Sequence, residues 1–207
     1  AAAVVMSRAA ARILVDRYAA DPSRVEIIPH GVPDLPFVEP DSVKAGLGMG
    51  GRQLLLSFGL VGPSKGYETV IETMPHVVRA VPNASYVILG ATHPELRRTE
   101  GERNRTQLET LAADLGVTKH VVFIHRFVSQ HELSRWLEAA DVFVTPYPNL
   151  DQIVSGTLSY AMAAGKATVS TPYLSASEIL ADGRGRLVPP GEPGAMGDAL
   201  IEVLQDH

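Results

Sequence analysis

The sequence contains no cysteine, which excludes disulfides, thiolate catalysis and zinc–thiolate sites. This absence favours a reducing compartment, and we expect a cytoplasmic protein. No apolar run approaches the roughly 18 residues that span a bilayer, so we expect no transmembrane segment. Basic residues are fewer than acidic ones, 18 against 23, and the formal net charge is −5. No general positive field would therefore attract nucleic acid, and any anion must be bound by local groups.

Several familiar motifs are also missing. No H-x-x-x-H pattern, paired carboxylates or Ser-His-Asp spacing stands out, so we expect neither a metal ion nor a cofactor. The G-x-G-x-x-G fingerprint and the Gly-Lys-Ser/Thr order of a P-loop are absent. What remains is a 207-residue chain with 45% hydrophobic and 20% charged residues, typical of a soluble globular protein. It begins with Ala1 and has no signal peptide, so we expect a piece of a longer protein.

Short apolar strands alternate with helical segments from residue 54 onward. Residues 54–58 and 86–89 are strands that end at Gly59 and Gly90, a loop is expected over 91–94, and the next helix over 104–115. Such alternation predicts βαβ units, and hence an α/β fold with a Rossmann-like parallel sheet and helices on both faces. Ligands of such sheets bind beyond the carboxyl ends of the strands. We expect five segments at that edge: 59–65, 90–93, 125–127, 146–152 and 170–171.

The first part of the chain is separated from this pattern by a proline-rich segment. Residues 29–36 contain three prolines and are predicted to form an extended linker. Before it, we expect a strand over 3–7, a helix over 8–19 and a second strand over 25–28. We therefore place a domain boundary near residue 36, which divides the chain into residues 1–36 and 37–207.

The segment from Gln152 to Tyr173 contains a candidate anion site. Ser155, Gly156 and Thr157 precede a helix that we expect over 158–164. Ser155 is a good N-cap, and Gly156 lets another molecule approach the backbone closely. The free N–H groups of the first turn, together with the positive end of the helix dipole, favour an anion. The same residues also fit an ordinary capped helix.

The loop from Gly59 to Gly66 carries a single cation, Lys65, which suits a phosphate as a point charge. An ordinary surface lysine is the alternative. Arg126 and Phe127 follow a strand and could flank a base, although an exposed arginine beside a core phenylalanine fits equally well. His30 and His93 are isolated histidines, which are more often structural than catalytic.

Several blocks, taken in order, resemble the C-terminal, nucleotide-sugar-binding half of a family 4 retaining glycosyltransferase with the GT-B fold. The likeness runs from about residue 3 to the end. The blocks are IPHGV (28–32), FGLVGPSKGYETVIE (58–72), YVILGATHPE (86–95), ELSRWLEAADVFVTPY (132–147), SGTLSYAMAAGKATVSTPY (155–173) and GRGRLVPP (183–190).

The resemblance implies a role for each part of the chain. Residues 1–36 look like the end of an N-terminal, acceptor-binding domain followed by the interdomain linker. Lys65 would contact the donor diphosphate, and Arg126 with Phe127 would form the base pocket. Backbone amides of residues 155–157 would bind the diphosphate and the sugar. The full donor-binding set that we predict is Gly59, Lys65, His93, Arg126, Phe127, Gln152, Ser155, Gly156, Thr157 and Tyr160, with Lys65 and Gln152 as candidate catalytic residues.

Three positions depart from the family pattern. The family commonly has arginine where this chain has Leu60, and two glutamates, eight residues apart, where this chain has Gln152 and Tyr160. Those glutamates normally bind the ribose hydroxyls and steady the donor sugar. Gln152 can still form hydrogen bonds without charge, whereas Tyr160 offers only one hydroxyl.

We therefore expect a fragment of a glycosyltransferase that transfers a sugar, with retention, from a nucleotide diphosphate-sugar donor to an acceptor held by the missing domain. A non-catalytic nucleotide-sugar-binding homologue is the alternative, favoured by the missing glutamates. An unrelated cofactor-binding domain is disfavoured by the missing glycine fingerprint. The fragment alone is expected to be inactive. Its strand at residues 3–6 would be mobile or would pair with another copy, and the full-length protein could lie at the membrane periphery.

Overall fold

The computed structural model describes residues 2–206, which form a two-stranded and a six-stranded parallel sheet with surrounding helices. The strands are β1 (Ala3–Val5), β2 (Val25–Ile27), β3 (Gln53–Phe58), β4 (Ala84–Leu89), β5 (Val121–Ile124), β6 (Val142–Thr145), β7 (Ala167–Ser170) and β8 (Arg186–Leu187). The α-helices are α1 (Arg8–Tyr18), α2 (Pro40–Lys44), α3 (Tyr67–Ala80), α4 (Pro94–Glu100), α5 (Arg103–Asp114), α6 (Gln130–Ala139), α7 (Gly156–Ala163), α8 (Leu174–Ile179) and α9 (Pro193–Gln205).

The large sheet has the strand order β5-β4-β3-β6-β7-β8, with all neighbours parallel. Every residue of β4 is buried, as expected for an inner strand covered on both faces. The chain runs outward from β3 through β4 to β5, and then returns to the other side of β3 and runs outward from β6 to β8. The direction of winding thus reverses between β3 and β6, and a crevice is expected at the carboxyl ends of these two strands.

Helices cover both faces of this sheet, as the sequence predicts. On one face, α3, α5 and α9 bury a core that includes Ile71, Leu108 and Leu200. On the other face, α2, α6 and α7 bury a second core that includes Trp136 and Ala161. The predicted α/β class with a Rossmann-like parallel sheet is therefore confirmed. No helix within residues 2–206 is long and apolar enough to cross a membrane.

One helix was missed by the sequence prediction. Helix α4 begins directly after the loop at 91–94, where no helix was expected before residue 104. His93 precedes it, and its ring nitrogen accepts the N–H of Glu95, while Pro94 occupies the first helical position. No residue of α4 is fully buried, so it leaves no apolar periodicity in the sequence.

The N-terminal strands form a separate small sheet, in which β1 pairs with β2. Helix α1 begins at Arg8, and Ser7 caps it by accepting the N–H of Ala10. The carboxylate of Glu178, from α8, accepts the N–H groups of Arg8 and Ala9 at the positive end of α1. Glu178 therefore attaches the N-terminal unit to the larger one. The division at residue 36 stays a prediction.

Candidate functional site

At the crevice between β3 and β6, the loops that follow these two strands approach each other closely. Gly66 ends the loop after β3 and has a positive φ of 64°. A β-carbon at this residue would overlap the carbonyl oxygen of Pro146, which follows β6. Only glycine fits both this dihedral angle and this contact. The close approach places Lys65 directly beside Tyr147.

Lys65 is the one predicted cation in this crevice, and it is half-buried. Its Nζ lies 3.4 Å from the hydroxyl of Tyr147 and 4.4 Å from the centroid of the same ring. Burial lowers the pKa of Lys65, because desolvation disfavours the charged form. An anion that restored a charged partner would therefore favour the protonated form of Lys65.

The first turn of α7 faces the same crevice. Ser155 caps this helix, and its Oγ accepts the N–H of Leu158 at 3.3 Å. Within residues 2–206, the N–H groups of Gly156 and Thr157 have no hydrogen-bond acceptor. The hydroxyl of Tyr147 lies 2.9 Å from Oγ1 of Thr157 and so connects Lys65 to the helix start. The structure thus brings together Lys65 and residues 155–157, as predicted from the topology.

His30, from the linker, lies beside the first turn of α7. The Nε2 atom of His30 lies 3.0 Å from where a β-carbon of Gly156 would be. The His30 ring packs edge-on against Tyr160, with 6.2 Å between the ring centroids. Tyr160 also packs edge-on against Phe58, at 6.3 Å. Tyr160 is therefore partly buried beneath the linker on α7.

Gln152 lies in the loop that leads from β6 to α7. Its Nε2 donates to the carbonyl of Val154 at 3.0 Å, and its own backbone carbonyl accepts the N–H of Ser175 at 3.1 Å. The side-chain amide therefore stabilises the loop that delivers Ser155 to the crevice.

A second cavity, of about 200 Å³, lies at the carboxyl ends of β3, β4 and β5. It is mostly apolar, and its lining consists of Phe58, Gly59, Leu60, Leu89, Gly90, Ala91, Arg126, Phe127, Val128 and Leu133. The Phe127 side chain is 72% exposed, which is unusual for phenylalanine and leaves its ring free to stack. The cavity is adjacent to the α7 site, since an added β-carbon at Gly59 would lie 3.6 Å from Thr157.

Arg126 is held at the edge of this cavity by Glu132. The guanidinium donates two hydrogen bonds to that carboxylate, at 2.8 and 2.5 Å. These hydrogen bonds lower the pKa of Glu132 and raise the pKa of Arg126. His93, in contrast, is exposed and caps α4, and it is not among the residues that line the cavity. A donor-binding role for His93 stays a prediction.

Sequence reasoning missed Tyr147 and gave His30 little weight. Tyr147 lies in the segment 146–152 that was expected at this edge, but between two prolines it looks like an ordinary loop aromatic. The sequence indicates its site position through its place just after a predicted strand. The block IPHGV contains His30, but its contact with α7 could not be predicted, because that contact forms only when the linker folds back.

Known proteins are similar to this chain in sequence. Residues 52–206 match the family model described as Glycosyl transferases group 1. A D-inositol 3-phosphate glycosyltransferase from Nocardioides sp. is 29% identical over an alignment that covers 95% of this chain and 44% of that protein. A GDP-mannose-dependent alpha-(1-6)-phosphatidylinositol monomannoside mannosyltransferase from Mycolicibacterium smegmatis is also 29% identical, over 88% of this chain and 47% of its own length. The chain thus spans about half the length of these relatives.

Two solved structures share the fold. The C-terminal domain of a glycosyl transferase group 1 family protein from Francisella tularensis superposes with a TM-score of 0.70 at 20% identity, over 84% of this chain and 86% of that one. The Anabaena protein Alr3699/HepE, solved in complex with UDP and glucose, superposes with a TM-score of 0.78 at 16% identity, over 99% of this chain and 54% of that one. By the match over residues 52–206, this chain belongs to the group 1 glycosyl transferases.

Proposed function

We propose that this chain is the donor-binding half of a glycosyltransferase that transfers a sugar, with retention, from a nucleoside diphosphate sugar to an acceptor. The observation that carries the proposal is the convergence of Lys65 with the free amides of Gly156 and Thr157, next to an apolar cavity with an exposed phenylalanine. A cation and a helix start suit the diphosphate, and the apolar cavity suits a base. The two sites adjoin at Gly59, as a single extended ligand requires.

The same groups would stabilise the departing diphosphate. Negative charge develops on the leaving oxygen as the glycosidic bond breaks, and preorganised donors at that place lower the barrier. Lys65 supplies the charge, and the two amides supply hydrogen bonds that need no reorganisation. Gln152 is the candidate for orienting the donor through uncharged hydrogen bonds. The acceptor would be bound by a domain that precedes the linker, with the reaction in the cleft between the two domains.

Thermal stabilisation and calorimetry with UDP-, GDP- and ADP-sugars test this proposal. We expect one of these donors to bind, and Lys65→Ala to weaken its binding by about 1–3 kcal/mol, the scale of a charged hydrogen bond. Lys119→Ala is the matched control, because Lys119 is exposed and precedes β5 at the opposite end of the sheet. If no donor binds, or if both alanine variants bind equally well, the proposal is wrong.

A binding protein without transfer activity is the second candidate. It is favoured by Gln152, whose amide is already engaged with the Val154 carbonyl and carries no charge for the sugar. The two candidates differ in the full-length protein, where only an enzyme forms a glycosylated product. Inositol phosphates and phosphatidylinositol mannosides are the first acceptors to test, since two relatives are named for them.

We further propose that the full-length protein is cytoplasmic and can lie at the membrane periphery.

The N-terminal unit has an apolar surface that suits further pairing. Val4, Met6, Ile27 and Ile28 are exposed by 61%, 51%, 43% and 56%. We propose that this surface is covered by further strands of the acceptor-binding domain, or in their absence by another copy of the chain. A concentration-dependent dimer in size-exclusion chromatography with light scattering, abolished by Val4→Lys, would support the second arrangement. A strictly monomeric chain at high concentration would contradict it.

A further inference from the structure

Tyr147 is one of the most buried side chains beside the proposed diphosphate site, and the roles proposed above do not use it. Only 2% of its surface is exposed. One face of its ring stacks on Tyr173, with centroids 5.1 Å apart and an interplanar angle of 23°. The ammonium of Lys65 also lies against this ring, within the range of a cation–π contact.

The Tyr147 hydroxyl can accept from one neighbour and donate to the other. An ammonium can only donate, so at 3.4 Å the Lys65 group donates to the phenol oxygen. Burial raises the pKa of Tyr147, so the phenol is neutral and keeps its own proton. Oγ1 of Thr157 lies 2.9 Å away and can accept that proton.

The hydroxyl of Thr157, in the first turn of α7, has its own proton to donate. When Thr157 Oγ1 accepts from Tyr147, its own proton can turn either to Ser155 Oγ, at 3.1 Å, or to a ligand. Ser155 Oγ already accepts the N–H of Leu158. An arriving anion can thus accept a hydrogen bond from the Thr157 hydroxyl while Ser155 continues to cap the helix. The phenol thereby links the cation, one hydroxyl and the helix start in a single arrangement.

We propose that Tyr147 is a positioning residue for the diphosphate of the donor, which holds the Lys65 ammonium and orients the Thr157 hydroxyl toward the phosphate oxygens. The proposal rests on the proposed function and deepens it. Tyr147 itself does not contact the reacting atoms. Its effect is exerted through Lys65 and Thr157, so its loss should reduce binding of phosphate while leaving binding of the base unchanged.

The test compares a nucleoside diphosphate with its nucleoside on the purified chain. Tyr147→Phe keeps the ring stacking and the cation–π contact and removes only the hydroxyl. We expect it to weaken binding of UDP or GDP by about 3- to 10-fold, the scale of one hydrogen bond, with no change for uridine or guanosine. Tyr86→Phe is the matched control, since it removes another buried hydroxyl, bonded to Ser57 at 3.0 Å within the core. It should lower the melting temperature without this selective loss.

Thr157 supplies a second, independent variant pair. Thr157→Val is nearly isosteric and removes the hydroxyl that Tyr147 orients, and Thr157→Ser should recover most of the affinity that Thr157→Val loses. In the Thr157→Val background, Tyr147→Phe should cost much less than alone, because the coupling between the two hydroxyls is gone.

The outcomes separate the two proposals. If the wild-type chain binds none of UDP, GDP and ADP, both the function and the role of Tyr147 are wrong. If Lys65→Ala weakens binding of the diphosphate but Tyr147→Phe leaves it unchanged, only the positioning role fails. Equal losses for the diphosphate and the nucleoside in Tyr147→Phe would reduce Tyr147 to a packing residue and would also overturn it.

Discussion

The backbone of Gly66 contacts the carbonyl of Pro146 so closely that any β-carbon at residue 66 would overlap the carbonyl oxygen. This contact joins the loop after β3 to the loop after β6, the two strands at which the winding of the sheet reverses. It is the reason why Lys65, one residue earlier, meets Tyr147, one residue later than Pro146.

Gly66→Ala should therefore be strongly destabilising. Gly116→Ala is a matched control, because Gly116 has a similar φ of 70° but no atom within 4 Å of the added carbon. The left-handed dihedral angle alone costs about 1–2 kcal/mol, which the control measures. The overlap at residue 66 should add about 1–3 kcal/mol. Urea unfolding of both variants checks this, and equal losses would mean that the Pro146 contact relaxes freely.

Binding of the diphosphate should weaken at alkaline pH. The pKa of Lys65 lies below 10.5 in the folded chain, because burial disfavours its charge. Affinity for UDP or GDP should consequently fall as the pH rises through this lowered pKa, before free lysine would titrate. Lys65→Arg should show a flatter profile, since arginine stays charged over this range and the titration of the nucleotide itself is common to both proteins. Calorimetry from about pH 7 to about pH 10 makes the comparison.

The lowered pKa of Lys65 affects folding stability with the opposite sign: binding weakens as the pH rises, whereas stability increases. In the unfolded chain Lys65 titrates near 10.5 and holds its proton to higher pH than in the folded chain. The unfolded state therefore binds more protons in the interval between the two pKa values, and the Lys65 contribution to stability increases as the pH rises through it. The unfolding free energies of wild type and Lys65→Met should therefore depend differently on pH. The same pH dependence in both proteins would show that Lys65 is not desolvated as described.

Gln152 can be tested by restoring the family's glutamate. In this chain, Nε2 donates to the Val154 carbonyl, and a carboxylate cannot donate. Gln152→Glu should therefore lower the melting temperature more than Gln152→Ala, because it places a carboxylate against a carbonyl oxygen. In the intact protein, Gln152→Ala should lower turnover. A Gln152→Glu protein that is as stable as wild type would show that the hydrogen bond to Val154 does not stabilise the loop. Tighter binding of the donor by this variant would show that glutamate suits the site better than glutamine.

Much of the fold could be predicted because its signals are local. Gly59 and Gly90 end short apolar strands, and this pattern by itself marks the carboxyl edge of the sheet. Topology then brings Lys65 and the start of α7 to that edge. Helix α4 could not be predicted, since it buries no residue fully and shows no periodicity.

The finer geometry of the site could not be predicted for a different reason. The Tyr147–Lys65 contact depends on two loops that are 82 residues apart in sequence. The position of His30 depends on the linker folding over Gly156. The cap that His93 forms could not be predicted either, because α4 itself carries no signal in the sequence. Such contacts are decided by packing between distant segments, which carries no signal in any one of them.

The last prediction concerns what these 207 residues can do alone. Sugar transfer requires the acceptor to be held against the donor in a cleft that excludes water, and such orientation can supply about 7–11 kcal/mol of the barrier. The chain spans about half the length of its relatives, and residues 2–36 form a small sheet and helix α1 beside the linker. We therefore expect the purified chain to bind the nucleotide but to transfer no sugar. Radiolabelled donor with a panel of acceptors measures this, with donor binding confirmed in parallel. Sustained transfer by the chain without any added partner would mean that the acceptor site lies within residues 37–207.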